Sequence, residues 1–322
     1  MSRLYNLGVI GKADIALRKM VPAIQSLPDL FSLKALARRK LSNGDKTHQF
    51  HIIEGYEQII NSADIDAVYI PLPLSEHFKW AKAALNNGKH VLVEKSMALT
   101  YGETVELNNI ARKHKLVLLE NFAFRFHSQF AFIEKKINEG SIGAIRFMRS
   151  SFCIPPFTHN NKIQLDKQLG GGALMDTGCY SVKIIQELMG ENLEVCASKL
   201  NIDSNKRIDM HGGAFLRQIN GEKHAHVAFG FDNHYQCNLE IVGSKGKIYT
   251  ERIFTSPKDY KPVISIESGR LKEQIELDSD DQFRNILKHF HYLISHPQEA
   301  LVEYSSNISQ AKLLDSIKSA GK

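Results

Sequence analysis

The chain has 322 residues, which is long for one hydrophobic core and enough for two domains of ordinary size. Hydrophobic residues make up 43% and charged residues 24%, and no apolar run approaches the roughly 20 residues that a membrane-spanning helix needs. The net charge of +6 is spread along the chain rather than clustered, so we expect no membrane or nucleic-acid partner and a surface suited to small anionic molecules.

The start of the chain and its cysteines favour a cytoplasmic protein. The opening residues lead directly into a strand-like run, and the succession of charged leader, apolar stretch and cleavage site is missing. The four cysteines are scattered without a C-x-x-C pair, so we predict neither a disulfide framework nor a metal site. Both features are typical of a protein that works in a reducing compartment.

The first third alternates short apolar runs with helical patterns, which predicts βαβ units around a parallel sheet. The predicted strands are residues 4–10, 32–37, 67–70, 90–93 and 117–119. Helical patterns cover 13–26 and 75–86, and Thr100 with Glu103 has the spacing of a capping box before a third helix. We therefore predict an α/β fold that begins with a Rossmann domain over residues 1–120.

The second half has a different organisation, because its strand-like segments mostly follow one another without intervening helices. These segments are residues 144–152, 194–200, 224–231, 235–242 and 247–252. They predict a C-terminal α/β domain with an open, mostly antiparallel sheet. A glycine-rich loop at 170–172 precedes a predicted helix over 173–189, and a terminal helix over 307–322 is expected to pack back on the first domain.

The first predicted strand runs into a turn with small residues at Gly11, Ala13 and Ala16. A dinucleotide fingerprint has the form G-x-G-x-x-G/A between a strand and a helix, because small residues let the backbone approach the pyrophosphate. This G-x-A-x-x-A version, with further βαβ units behind it, predicts a dinucleotide site. A tight strand-to-helix turn without a ligand would use the same residues, so the motif alone is compatible with either interpretation.

The second predicted strand ends in Ala37, Arg38, Arg39 and Lys40. A Rossmann domain that binds NAD usually has an acidic residue near this strand end, where it contacts the ribose 2′-hydroxyl. Here the sequence has no Asp or Glu, whereas guanidinium groups bind a 2′-phosphate bidentately. We therefore predict that NADP(H) is favoured over NAD(H), the alternative being an ordinary basic strand end.

Five ordered segments resemble motifs of the Gfo/Idh/MocA oxidoreductase family. They are residues 69–77 (YIPLPLSEH), 88–96 (GKHVLVEKS), 120–127 (ENFAFRFH), 140–143 (GSIG) and 170–180 (GGGALMDTGCY). The similarity extends from Gly8 to the turn at 242–246. By their order and spacing together, the chain is identified as a member of this family.

The resemblance implies the chemistry of individual residues. The family's E-K-P motif falls on Glu94, Lys95 and Ser96, so Lys95 resembles the lysine that contacts the reacting oxygen of the substrate. Serine replaces the usual proline of this motif. The family's D-x-x-x-H/Y motif falls on Asp176 and Tyr180, and their four-residue spacing suits one face of a helix.

The candidate site follows from these motifs and from the resemblance. Lys95 is expected to stabilise charge on the reacting oxygen, Tyr180 to pass the proton, and Asp176 to orient these groups or to hold a sugar hydroxyl. The expected substrate-binding residues are Arg125, His127, Asp176 and Tyr180. The expected cofactor-binding residues are Gly11, Lys12, Ala13, Asp14, Ile15, Arg38, Arg39, Pro71, Leu72, His77, Glu94 and Lys95.

The reaction implied by the resemblance is hydride transfer between a nicotinamide cofactor and a carbinol or carbonyl carbon of a sugar-like substrate. Within the family the chain is most similar to keto-sugar reductases that act on nucleotide-linked deoxysugars. A polyol, free-sugar or dihydrodiol dehydrogenase is the nearest alternative, and an NADP-binding regulator without turnover is a further possibility of a different class. We expect residues 121–306 to bind substrate and to form a homo-oligomer.

Overall fold

The computed structural model describes residues 3–41, 51–158 and 162–321. Six strands of these residues form a parallel sheet. They are β1 (Tyr5–Ile10), β2 (Phe31–Arg38), β3 (Ile52–Glu54), β4 (Ala67–Ile70), β5 (His90–Val93) and β6 (Leu118–Glu120). Their order is β3-β2-β1-β4-β5-β6, so the direction in which strands are added reverses between β3 and β4. This is the doubly wound order of a Rossmann domain, and it confirms the predicted N-terminal fold.

The helices of this unit connect successive strands. They are α1 (Val21–Gln25), which continues a π-helical turn at Ala16–Met20, α2 (Tyr56–Asn61), α3 (Leu74–Asn86) and α4 (Tyr101–His114). The predicted capping box starts α4, because Thr100 Oγ1 accepts from the Glu103 N–H and the Glu103 carboxylate accepts from the Thr100 N–H, both at 3.2 Å. These helices cover a sheet whose central strand β4 is buried along its whole length, as parallel sheets require.

An eight-stranded, mostly antiparallel sheet forms the core of a second unit. Its strands are β7 (Ile145–Cys153), β8 (Leu193–Ile202), β9 (Asp209–Gln218), β10 (His224–Gly230), β11 (Gln236–Gly243), β12 (Gly246–Glu251), β13 (Val263–Ser268) and β14 (Leu271–Glu276). The order is β14-β13-β12-β11-β7-β10-β9-β8, in which β7 and β10 are parallel and the other neighbours antiparallel. In β10, Ala225 and Val227 are buried whereas His226 and Ala228 are exposed, so one face packs on the core. The predicted second sheet is confirmed.

Four further helices complete the two units. They are α5 (Ser128–Asn138), α6 (Cys179–Met189), which continues a π-helical turn at Leu174–Gly178, α7 (Gln282–Ser295) and α8 (Ala300–Ala320). Within the part of the chain that the structure describes, no helix combines the length and the apolar character that crossing a membrane demands.

The end of the chain divides between the units in a way that differs from the predicted boundaries. Residues 283–308 pack with the first unit, where Phe290 stacks on Phe31 with ring centroids 6.2 Å apart. From Ser309 the chain packs with the second unit, where Gln310 Nε2 donates to the Cys179 carbonyl at 2.8 Å. The predicted division at 1–120, 121–306 and 307–322 therefore changes, because periodicity indicates a helix without indicating which core its side chains enter.

Candidate functional site

The turn after β1 leaves its backbone open. Gly11 has φ +120°, and its N–H donates to the Ala37 carbonyl at 3.0 Å. A Cβ at this position would lie 2.7 Å from Leu72 Cδ2, so both the conformation and the space require glycine. The other predicted cofactor residues of this turn follow directly, namely Lys12, Ala13, Asp14 and Ile15. The geometry suits close approach of a pyrophosphate to the main chain.

An acidic side chain from α3 reaches the basic end of β2. Arg38 ends the strand, and Nη2 of the next residue, Arg39, lies 3.7 Å from Glu76 Oε2. The same oxygen accepts from the Trp80 indole N–H at 3.0 Å. Trp80 in turn packs edge-on against Tyr56, with ring centroids 5.0 Å apart. The predicted 2′-phosphate site therefore includes a carboxylate that the strand-end pattern did not reveal.

His77, one of the predicted cofactor-binding residues, is buried and lies between two backbone carbonyls. Its Nε2 is 2.7 Å from the Leu72 oxygen and its Nδ1 is 2.8 Å from the Ser96 oxygen. Burial lowers the pKa of His77, whereas the two carbonyl oxygens oppose this effect. The imidazole thus lies between the Pro71–Leu72 segment after β4 and the turn that contains Lys95, and in its neutral form it donates to one of the two backbone carbonyls.

Glu94 is the second predicted cofactor residue whose side chain points inward. Its Oε1 accepts from the Tyr69 hydroxyl at 2.6 Å and from Asn121 Nδ2 at 2.5 Å. Burial raises the pKa of Glu94, although these hydrogen bonds and the charge of Lys95 oppose the rise. The sequence does not identify Tyr69 and Asn121 as partners of this carboxylate, since nothing in their spacing marks the contact.

Lys95 therefore projects from a turn that is held on both sides. His77 contacts the Ser96 carbonyl, and Glu120 Oε1 accepts from the Met97 N–H at 2.8 Å. The peptide bond between Lys95 and Ser96 is cis. The lysine side chain is half-buried, so a fixed backbone presents a cation that a ligand can reach.

In the second unit, Asp176 lies in the π-helical turn and Tyr180 in the first turn of α6. Four phenylalanine rings surround the Tyr180 ring at centroid distances of 5.3–6.1 Å, namely Phe122, Phe124, Phe152 and Phe254. Asp176 and Tyr180 are both half-exposed. Packing therefore fixes the tyrosine ring, and both residues stay partly exposed.

Asp209 caps this helix from another element. Its Oδ2 accepts from the Leu174 N–H at 2.5 Å, and a Cβ on Gly172, whose φ is +132°, would lie 2.4 Å from Asp209 Oδ1. The glycine loop thus makes room for the carboxylate, whose pKa burial raises and the backbone N–H groups lower. No motif in the sequence marks Asp209, although a helix that starts with glycines and alanine lacks a capping side chain of its own.

Arg125 and His127, the remaining predicted substrate residues, have partners inside the second unit. Arg125 Nε lies 3.1 Å from Glu187 Oε1, which is also 3.0 Å from Lys183 Nζ. His127 Nδ1 accepts from the Gln129 N–H at 3.1 Å at the start of α5, and burial lowers the pKa of His127. Both side chains hold the unit together, and their contact with substrate stays a prediction.

Comparison with known proteins follows the same division of the chain. The Gfo/Idh/MocA model described as an oxidoreductase family with an NAD-binding Rossmann fold matches residues 5–122, and the C-terminal domain model matches residues 130–249. The chain is 34% identical over 322 residues to dTDP-3,4-didehydro-2,6-dideoxy-alpha-D-glucose 3-reductase from Actinomadura kijaniata, covering 98% of this chain and 95% of that protein. It is 31% identical over 248 residues to trans-1,2-dihydrobenzene-1,2-diol dehydrogenase from Xenopus tropicalis, covering 74% and 72%.

A solved structure has the same fold. The crystal structure of KijD10, a 3-ketoreductase from Actinomadura kijaniata in complex with NADP and TDP-benzene, matches with a TM-score of 0.92 and 33% identity, covering 99% of this chain and 98% of that one. Other structures of that protein carry phenylalanine in place of a tyrosine, or alanine or glutamate in place of a lysine.

Proposed function

Because this chain belongs to the Gfo/Idh/MocA oxidoreductase family, we propose that it is an NADP(H)-dependent reductase of a keto group on a nucleotide-linked deoxysugar. The observation that carries the proposal is the Lys95 turn, where buried side chains fix the backbone and leave a cation half-exposed. Support for the substrate class comes from the similarity along nearly the whole chain to a dTDP-sugar 3-reductase.

The first unit is the proposed NADP(H)-binding unit. Gly11 fits a pyrophosphate, because its φ of +120° and its missing Cβ leave the main chain open to the ligand. Arg38 and Arg39 would hold the 2′-phosphate through their guanidinium groups. When bound, the nicotinamide supplies the hydride chemistry that protein side chains lack.

Three side chains are proposed to act on the substrate. Lys95 stabilises the negative charge that develops on the reacting oxygen, because an ammonium on a fixed backbone needs no reorganisation. Tyr180 passes the proton, since its phenol O–H can donate to the reacting oxygen. Asp176, which lies one helical turn before Tyr180, orients a hydroxyl of the sugar.

The second unit is proposed to bind the sugar nucleotide and to form a homo-oligomer. The half-exposed Asp176 and Tyr180 belong to this unit, which supports its role in substrate binding. The cytoplasm is the proposed location, because Cys153, Cys179 and Cys237 are buried thiols and a reducing compartment maintains that state. Light scattering on the purified protein tests the oligomer directly.

Dihydrodiol dehydrogenase is the second candidate activity, and the match to the Xenopus tropicalis enzyme is the observation that favours it. Both activities use the same cofactor chemistry, so the fold alone does not separate them. The Actinomadura relative covers more of the chain at higher identity, which favours the sugar-nucleotide substrate.

A turnover assay tests the proposal. The purified protein is given NADPH with dTDP-linked 3-keto deoxysugars, and separately NADP with free sugars, polyols and dihydrodiols, while NADPH absorbance is followed. We expect turnover with the keto sugar nucleotides at a kcat/KM at least about a hundredfold above that for free sugars, because the nucleotide supplies binding energy. Preference for a dihydrodiol would support the second candidate, and tight NADPH binding without turnover would support a regulator.

A further inference from the structure

The nucleotide site of the first unit contains an acid that comes from an unusual place. In a Rossmann domain, the acid that distinguishes NAD from NADP stands at the end of the second strand. Here that strand ends in Arg38 and is followed by Arg39, while Glu76 enters from the first turn of α3. Glu76 Oε2 lies 3.7 Å from Arg39 Nη2, so any anion that Arg39 binds comes close to this carboxylate.

The two partners of this contact are held very differently. The Glu76 side chain is 28% exposed, and the Trp80 indole N–H donates to its Oε2 at 3.0 Å. Trp80 is itself fixed against Tyr56. The Arg39 side chain is 73% exposed and lies beyond hydrogen-bond distance of the carboxylate. Glu76 is therefore a fixed negative charge beside a cation that can move to a ligand.

We propose that Glu76 is a specificity-determining residue of the nucleotide site, where its carboxylate opposes the 2′-phosphate and so moderates the preference for NADP(H). The inference rests on the proposed cofactor role of Arg38 and Arg39. It adds that the same site contains a negative charge that opposes the attraction of these arginines for the 2′-phosphate.

Glu76 has two opposing effects on 2′-phosphate binding, and their relative sizes decide whether it strengthens or weakens that binding. As a partner, Glu76 could hold Arg39 in place, but an exposed ion pair at 3.7 Å contributes little. As a charge, it repels a phosphate that carries about −1.5 to −2 and that sits within a few ångströms of it when Arg39 binds the phosphate. At the dielectric of water, and after screening by physiological salt, this repulsion changes affinity by about three- to tenfold, so the repulsion dominates.

The experiment compares two nucleotides that differ only by the phosphate. Calorimetry measures binding of 2′,5′-ADP and of 5′-AMP to the parent protein and to Glu76→Gln, whose amide oxygen can still accept from Trp80. Glu106→Gln is the matched control, because Glu106 also pairs with a cation on α3, Lys82, at 2.6 Å. We expect Glu76→Gln to tighten 2′,5′-ADP about three- to tenfold and to leave 5′-AMP unchanged. The gain should shrink in about 1 M salt, where the Debye length falls to about 3 Å.

Several outcomes would overturn the proposal. Weaker 2′,5′-ADP binding by Glu76→Gln would make Glu76 an anchor for Arg39 instead. An equal change for both nucleotides, or no change for either, would show that Glu76 does not act on the 2′-phosphate. None of these results depends on turnover, so this proposal is tested independently of the proposed activity on sugar nucleotides. If Arg39→Ala leaves 2′,5′-ADP binding unchanged, the proposed phosphate site itself is wrong.

Discussion

Lowering the pH from 7 towards 4 should destabilise the first unit through His90. This residue opens β5, the strand that leads into the Lys95 turn, and its Nδ1 accepts from the Val117 N–H at 3.0 Å. Only a ring nitrogen without a proton can accept that hydrogen bond. Burial lowers the pKa of His90 to about 4 from 6.5, although Asp66 opposes the shift.

The sign and the size of the effect follow from this pKa. Below about 6.5 the unfolded chain binds a proton at His90, whereas the folded chain binds it only near pH 4. Stability is therefore fully present above pH 6.5 and is lost as the pH falls towards 4. At about 1.4 kcal/mol for each pKa unit, the difference between 6.5 and about 4 corresponds to about 3 kcal/mol in the free energy of unfolding.

Urea unfolding at several pH values measures this loss, and the fluorescence of Trp80, the chain's single tryptophan, reports on the first unit. In His90→Gln the amide oxygen can accept from Val117 without titrating, so this variant should lose about 3 kcal/mol less than the parent between pH 7 and 4. His114→Gln, at an exposed histidine of the same unit, should behave as the parent does. Parallel curves for the parent and His90→Gln would refute the reasoning.

Three further variants test the proposed reaction and cofactor. Lys95→Ala and Tyr180→Phe should each slow reduction about a hundredfold, the low end for charge stabilisation and acid catalysis, because water can reach both half-exposed positions. Their NADPH affinities, measured by calorimetry, should stay within about threefold of the parent. If Tyr180→Phe turns over as fast as the parent at every pH, solvent and not Tyr180 supplies the proton. Arg39→Ala should weaken NADPH binding about tenfold and NADH binding hardly at all, and an equal loss for both would contradict a 2′-phosphate contact.

The sequence predicts the elements whose local pattern and final environment agree. The strands at Ala67–Ile70 and His90–Val93 have the predicted bounds, because each is a short apolar run and a parallel sheet buries both of its faces. The capping box at Thr100 is likewise confirmed, since both of its partners lie within four residues. In each case the signal is local, and the tertiary structure adds nothing that opposes it.

Elements whose residues depend on distant neighbours are missed. The strand β9 contains Gly212 and Gly213, which weaken a strand pattern because they add no side chain to pack. The structure shows why they are there: a Cβ on Gly212 would lie 2.6 Å from the Lys199 carbonyl oxygen of the neighbouring strand. The sequence shows the glycines, but it does not show that β8 pairs beside them and requires them.

The candidate site shows the same limit at the level of roles. The motifs mark His77 and Glu94 as important positions, but the contacts of these two residues point to support of the Lys95 turn. A motif gives the position of a side chain in the chain, whereas its role depends on the partners that the fold supplies. Asp209 illustrates the converse, because it caps the helix of Tyr180 from 35 residues beyond Leu174, with no motif of its own.

Cofactor preference depends on the same kind of distant partner. At the end of β2, Arg38 and Arg39 stand where an NAD-binding domain has an acidic residue, and this pattern predicts a site for the 2′-phosphate of NADP(H). The structure adds Glu76 from the helix after β4, whose distance of 3.7 Å from Arg39 no strand-end pattern contains. Because charges at these distances alter affinity by several-fold, the preference of a Rossmann unit should be inferred from the end of β2 and from the first turn of α3 together.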